Sequence, residues 1–143
     1  MPISALTPFR LYLRILYPHD MSQRSLRAQF YIALASSFIV IGLHLVATTF
    51  YLYWTFPRID IFMHIAGGVM AGLYGGVFLK AFKLPESFGN FLLFAFIVGF
   101  GWEILELFYK VADVDAWYWV NTVQDLIDDM IGGALAYYLW RKI

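Results

Sequence analysis

Four long apolar runs organise the chain, and they lie near 30–54, 61–80, 89–109 and 122–140. Each run is about 20 residues or longer, which is the length an α-helix needs to cross roughly 30 Å of hydrocarbon. No linker, repeat or low-complexity tract separates them. The pattern predicts an all-α polytopic membrane protein, in which four transmembrane helices form one bundle and residues 1–143 form a single domain.

A shorter apolar segment precedes the first run. It contains Arg10 and Arg14, which share one helical face, and Pro18 is expected to end it. It lacks a small-residue cleavage site, so we do not expect a cleaved signal peptide. The segment predicts an amphipathic helix over 3–18 that lies on the lipid headgroups.

Composition supports a membrane setting. Hydrophobic residues make up 62% of the chain and charged residues only 14%, which leaves too little polar surface for a soluble globule of 143 residues. Membrane lipid is therefore the expected partner. The net formal charge is zero, so nucleic acid is not an expected partner. The absence of cysteine excludes disulfides, thiol catalysis and thiolate ligands.

The placement of lysine and arginine predicts the orientation. Cations precede the first run, follow the second and follow the fourth, and only Arg58 and Lys110 lie at the opposite ends of the runs. By the positive-inside rule both termini are expected to be cytoplasmic. The loops near 55–60 and 110–121 are then expected to face outward.

Acidic and histidine side chains concentrate at one depth. Seven of the thirteen lie in three short stretches: Asp60 and His64; Glu103 and Glu106; Asp125, Asp128 and Asp129. At about 1.5 Å per helical residue, all three stretches reach the outer third of the bilayer. Spacings of three and four residues place each group on one helical face. Ionisable groups within hydrocarbon are costly, so their convergence predicts a functional site.

Small residues continue two of these acidic faces. They are Gly68, Gly72 and Gly76 in the second run, and Gly132, Gly133 and Ala136 in the fourth. Small residues at this spacing let membrane helices approach closely. The acidic faces are therefore expected to point into the bundle.

The negative charge of buried carboxylates must be neutralised. Either several of the carboxyl groups stay protonated, or one or two divalent cations bind among them. We favour the cations, because an imidazole and several carboxylates on facing helices resemble the chemistry of two-metal carboxylate bundles. The oxygen-rich set suits Mn, Mg, Ca, Fe or Zn. The predicted ligands are His64, Glu103, Glu106, Asp125 and Asp129; Asp60 and Asp128 are the predicted catalytic residues, as general base or as groups that orient a ligand.

Helix capping offers a simpler alternative for two of the acids. Thr122 and Asp125 form a T-x-x-D pattern typical of a capping box, and Asp60 could cap its own helix. Capping does not explain Glu103 and Glu106, because negative charge is unfavourable near a helix carboxyl end.

His44, in the middle of the first run, is interpreted as a hydrogen-bond partner between helices.

A family resemblance rests on three motifs, Asp60-x-x-x-His64-x-x-Gly67, Glu103-x-x-Glu106 and Gln124-Asp125-x-x-Asp128-Asp129-Met130, the last followed by Gly132 and Gly133. Together they resemble the small bacterial and archaeal membrane proteins of the YjdF-like group and, more distantly, the VanZ-like proteins. The chain lacks the G-T-Q-G-type stretch that usually precedes the final helix. The resemblance implies the same fold and site in a prokaryotic cytoplasmic membrane, without implying a substrate.

Three functions fit this pattern. The first is a metal-dependent hydrolase or transferase that acts on a lipid or lipid-linked headgroup. The second is a transporter or channel for protons or divalent cations. The third is a structural metal site in a membrane assembly or stress-response protein. No charged residue lies between Gly67 and Lys80 or between Gly132 and Trp140, which disfavours a continuous polar path.

Overall fold

The computed structural model describes residues 18–56, 58–109 and 117–143, and the regular elements in these ranges are helices. They are α1 (Pro18–Thr49), α2 (Leu52–Thr55), α3 (Ile59–Ala81), α4 (Phe88–Tyr109) and α5 (Tyr118–Trp140). The predicted interfacial helix over 3–18 lies outside the described residues, except for Pro18, which begins α1.

Three of the four long runs form helices close to the predicted bounds. Helices α3 and α4 begin and end within two residues of the prediction, and α5 begins four residues earlier, at Tyr118. The first run differs, because α1 ends at Thr49 and does not continue to 54. Tyr51 adopts the left-handed conformation, with φ of 55°, and α2 follows it. A residue in that conformation interrupts the helical hydrogen-bond ladder, so the run bends at this point.

Helix α3 is the central element. It contacts α1, α4 and α5, and α4 also packs against α5. The starts of α3 and α5 lie at the same end of the bundle as the end of α4; we call this the acidic end. The opposite end, where α3 finishes near Lys80 and α5 near Arg141, is the basic end.

Three helices are long and apolar enough to cross a membrane: Ser25–Thr49 within α1, Ile59–Ala81 and Phe88–Tyr109. Helix α5 is not among them, because its first half carries three aspartates. The residues that the structure describes are thus all-helical, as predicted, with three candidate spans where four were predicted. Large apolar side chains such as Phe38 and Phe62, each 69% exposed, lie on the outer surface, as expected for helices in contact with lipid.

Glycines let α3 and α5 meet backbone to backbone. A Cβ atom on Gly68 would collide with the main-chain oxygen of Asp129, and one on Gly132 would collide with that of Ile65. A Cβ atom on Gly72 would lie 2.5 Å from that of Ala136. The predicted packing of the two small-residue faces is confirmed. This close approach brings the acidic groups of both helices to one level.

Candidate metal centre

His64 lies at the middle of the acidic end. Helix α3 presents Asp60 and His64 one turn apart, and α5 presents Asp125 and Asp129 one turn apart. The Nε2 atom of His64 is 3.8 Å from Oδ1 of Asp60 and 3.9 Å from Oδ1 of Asp125. Its Nδ1 atom is 3.4 Å from Oδ2 of Asp129. One imidazole therefore contacts carboxylates from both helices.

Asp60, His64 and Asp125 could together hold a metal ion, and we call them the metal triad. One donor atom from each of the three side chains lies within 4.8 Å of the other two. The separations of 3.8 and 3.9 Å from Nε2 are too long for hydrogen bonds. Two ligands that share one ion at about 2.0–2.2 Å lie at most about 4.4 Å apart, so these separations suit a shared cation.

The metal triad is buried on one side and open on the other. The side chains of His64 and Asp125 are 6% and 3% exposed, whereas that of Asp60 is 38% exposed. Asp60 is therefore the exposed member of the metal triad, and the side chains of His64 and Asp125 are shielded. Catalytic metal sites combine three protein ligands with one open position in this way.

The other predicted acids surround the metal triad without joining it. Glu103 is buried and interacts electrostatically with His64 and Asp129. Asp128 is buried on α5, beside Asp129, and interacts electrostatically with Asp60. Among the described residues, Oε1 of Glu103 and Oδ2 of Asp128 have no hydrogen-bond partner. Such unpaired buried atoms are uncommon in native proteins, and those of the described ranges all lie at the acidic end.

Glu106 lies at the edge of the cluster. It is partly buried, and its Oε1 atom accepts a hydrogen bond of 2.7 Å from Nε1 of Trp102. All seven predicted residues are thus found at the acidic end, but ligand atoms close enough to share one ion come from the metal triad alone within the ranges described.

Helix α4 provides the space for Asp129. A Cβ atom on Gly99 would overlap the Asp129 carboxylate, whose Oδ2 atom also contacts Nδ1 of His64. Gly99 leaves room for the Asp129 carboxylate to lie against the imidazole of His64. The Nε2 atom of His64 then faces Asp60 and Asp125. A carboxylate that accepts the second N–H of a ligating histidine fixes its tautomer and ring orientation. The sequence analysis did not identify Gly99, because its role depends on a side chain from another helix.

We predict that Asp129→Asn lowers metal affinity about 10- to 100-fold, because Asn orients His64 less well than a carboxylate does. Gly99→Ala is expected to act in the same direction by displacing Asp129. Titration of the purified protein with Mn²⁺ and Zn²⁺ measures both effects. Gly101→Ala is the matched control, because a Cβ atom there meets nothing within 4 Å. Equal affinities of the Gly99 and Gly101 variants would contradict this role.

Two further residues support the site. Nδ2 of Asn121 donates a hydrogen bond of 2.6 Å to Oδ2 of Asp125 and so orients the other oxygen towards His64. The spacing of four residues could have revealed this contact.

The second residue is Tyr53, whose hydroxyl lies 2.9 Å from Nδ1 of His44. Burial raises the pKa of Tyr53, and the nearby carboxylates of Asp60 and Glu106 raise it further. No sequence pattern predicts this position, because it depends on the turn that precedes α2.

The capping alternative is wrong for Asp125. Helix α5 begins at Tyr118, so Asp125 lies two turns inside the helix and cannot satisfy its first amides. Asp60 does lie in the first turn of α3, where a negative charge interacts favourably with the helix dipole. Its carboxylate also faces His64. The interpretation of His44 as a partner between helices agrees with its contact to Tyr53.

No protein-family model matches the chain, and no curated protein or solved structure matches it either. The resemblance to YjdF-like and VanZ-like proteins stays a prediction. Function is therefore inferred from the geometry of the site.

Proposed function

We propose that this chain is an integral membrane protein that binds a divalent cation through Asp60, His64 and Asp125. The single observation that carries the proposal is the convergence of one donor atom from each of these residues within 4.8 Å, at a largely buried position. We further propose that the cation serves hydrolysis or group transfer on a lipid or lipid-linked headgroup.

Charge balance supports a cation at this position. Six carboxylates share the acidic end, and within the described part of the chain the basic side chain found within 4.0 Å of them is that of His64, which is neutral when it binds a metal. Removing so many charges from water is costly unless something neutralises them. A divalent cation supplies that charge and accepts oxygen ligands. One imidazole beside two carboxylates favours Mn, Fe or Zn over Mg or Ca.

The surrounding residues suit catalysis. Asp129 orients His64, and the carboxylates of Glu103 and Asp128 lie beside the metal triad, where a carboxylate can serve as a general base. In this proposal Asp60 is a metal ligand, and Asp128 retains the general-base role. The open side at Asp60 admits the substrate.

The position of the site indicates the substrate class. We propose that α5 crosses the membrane as a fourth span, with its aspartates shielded by α3 and α4. Large aromatic side chains at the acidic end are exposed, among them Trp54 (70%), Phe108 (76%) and Trp119 (64%). Tryptophan and tyrosine concentrate at the headgroup level of membranes. A substrate held at that level is a lipid or lipid-linked headgroup.

Transport fits these residues less well. Immediately beyond the acid cluster, α3 and α5 are in backbone contact at Gly68 and Gly132. Between that contact and Lys80, α3 carries no charged side chain. A conducting path needs polar groups or water along its whole length, and the packed glycines leave no space for either.

We predict that the purified protein contains about one equivalent of a divalent metal, measured by elemental analysis. A chelator is expected to remove the metal and to lower the thermal unfolding midpoint, because a cation bound only by the folded state stabilises it. Glu86→Gln is the control, because this carboxylate lies at the basic end and is expected to leave metal content unchanged. Absence of stoichiometric metal, together with an unchanged midpoint after chelation, would overturn the proposal.

Enzyme and transporter are separated by two assays on the metal-loaded protein. The first follows turnover of a panel of phospholipids and lipid-linked phosphates, and the second follows cation flux in proteoliposomes. We expect turnover that is lost in Asp128→Asn while metal remains bound. Flux without turnover would favour transport. Metal binding with neither activity would favour a structural metal.

A further inference from the structure

A second site lies at the basic end, far from the metal triad. It is a cavity of about 420 Å³, lined by Gln29, Glu86, Tyr137, Trp140 and Arg141. The walls come from α1, from the segment between α3 and α4, and from the end of α5. Its lining is mainly polar, in contrast to the lipid-facing surface of the same helices.

Lys80 adjoins this cavity through two of its lining residues, Gln29 and Trp140. Its Nζ atom donates hydrogen bonds to Oε1 of Gln29 at 2.7 Å and to Oγ of Ser25 at 2.9 Å. It also lies 5.8 Å from the ring centroid of Trp140. Gln29 is buried and Lys80 partly buried. No carboxylate within the described ranges forms an ion pair with this ammonium group, so its positive charge is only partly compensated.

Arg141 brings a second cation to the same cavity. Its guanidinium donates one hydrogen bond, of 3.2 Å, to the Tyr137 hydroxyl. A guanidinium carries five N–H groups in a planar fork that matches phosphate oxygens. The nearby carboxylate of Glu86 accepts a hydrogen bond of 2.5 Å from Nε1 of Trp140. Lys80, Arg141 and Glu86 together carry a net charge of +1.

We propose that this cavity binds an anionic phosphate group. Lys80 and Arg141 supply the charge, the guanidinium fork supplies directed donors, and Trp140 forms an apolar wall. The cavity lies at one end of the candidate spans, where lipid headgroups meet the protein, and basic pockets between membrane helices commonly hold anionic headgroups. The phosphate belongs either to an anionic lipid or to a soluble phosphate. The site does not depend on the metal triad.

The test uses native mass spectrometry of the full-length protein in detergent. Three probes are titrated separately: phosphatidylglycerol, phosphatidylcholine and inorganic phosphate. We expect phosphatidylglycerol to bind more tightly than phosphatidylcholine, because only the former has a net negative charge. Binding of inorganic phosphate that displaces phosphatidylglycerol would also support the site and would assign it to soluble phosphate. Equal retention of both lipids, with no phosphate binding, would overturn the proposal.

Substitutions then locate the site. Arg141→Gln is expected to weaken phosphatidylglycerol binding about fivefold, the usual effect of one cation at a membrane surface. Lys142→Gln removes the same charge from the next residue, which is exposed and does not line the cavity, so it is expected to change affinity less than about twofold. Glu86→Gln is expected to strengthen binding by removing the carboxylate among the cavity's lining residues. Equal effects of the Arg141 and Lys142 variants would show non-specific attraction and overturn the assignment.

Discussion

Replacing His64 with glutamine is expected to abolish stoichiometric metal binding and to reduce affinity by more than about 100-fold, exceeding the loss expected for a residue that only orients a ligand. The physical reason is that Nε2 of His64 lies between the carboxylates of Asp60 and Asp125 and is the only nitrogen ligand of the metal triad. Glutamine is uncharged and cannot supply an imidazole nitrogen. Elemental analysis and titration with Mn²⁺ and Zn²⁺ measure the effect.

Two further variants make this prediction specific. His44→Gln is the matched control, because His44 lies in α1 and hydrogen-bonds to Tyr53 without joining the metal triad. Asp125→Asn preserves side-chain shape and retains a possible contact with Asn121, so it tests the site even if the His64 variant folds poorly. We expect both the His64 and the Asp125 variants to lose the metal while the His44 variant keeps it. Full metal occupancy in the Asp125 variant would contradict its role as a ligand.

Gly68→Ala and Gly132→Ala are expected to be the most destabilising small substitutions in the chain. At each position the new methyl group would meet main-chain atoms of the facing helix, which move only if the helices separate. Overpacking of this kind usually lowers the free energy of unfolding by about 1–3 kcal/mol. We expect the upper end of this range, because the contacts are with backbone atoms of the facing helix. We expect a thermal midpoint several degrees lower in detergent, accompanied by weaker metal binding because α3 and α5 both carry ligands.

Gly42→Ala and Gly101→Ala provide the matched comparison. A Cβ atom at either position meets nothing within 4 Å. Replacing glycine by alanine in an open helical position usually stabilises a helix by up to about 1 kcal/mol. The midpoints of these two variants are therefore expected to stay unchanged or to rise. If all four glycine variants unfolded at the same temperature, close packing of α3 against α5 would not be what holds the acidic end together.

The helices could be predicted from the sequence largely because their signals are local. Apolar length and composition predicted α3 and α4 to within two residues. The small residues of α3 and α5 predicted their contact, because their spacing allows close packing and glycine is otherwise unfavourable within a helix. The bend at Tyr51 was missed, since nothing in that apolar run marks a left-handed residue.

The sequence predicted that these side chains lie together at the acidic end, but it did not predict which of them contact one another. Spacing along each helix determined which acids share a face and at what depth they lie. It could not distinguish Asp60, whose oxygen lies near Nε2 of His64, from Asp129, whose oxygen lies near Nδ1. Which nitrogen faces which carboxylate depends on the rotation of α3 against α5 and on the space left by Gly99.

The sequence by itself predicted helices long and apolar enough to cross a membrane, with a cluster of acidic and histidine residues at one end, because hydropathy and helical periodicity act along a single segment. Only the tertiary structure decided that Asp60, His64 and Asp125 bring their donor atoms within 4.8 Å of one another, and that a cavity lined by Gln29, Glu86 and Arg141 lies at the other end. Those distances depend on how separate helices pack together. The same pattern of residues is compatible with packing arrangements in which the distances differ by ångströms.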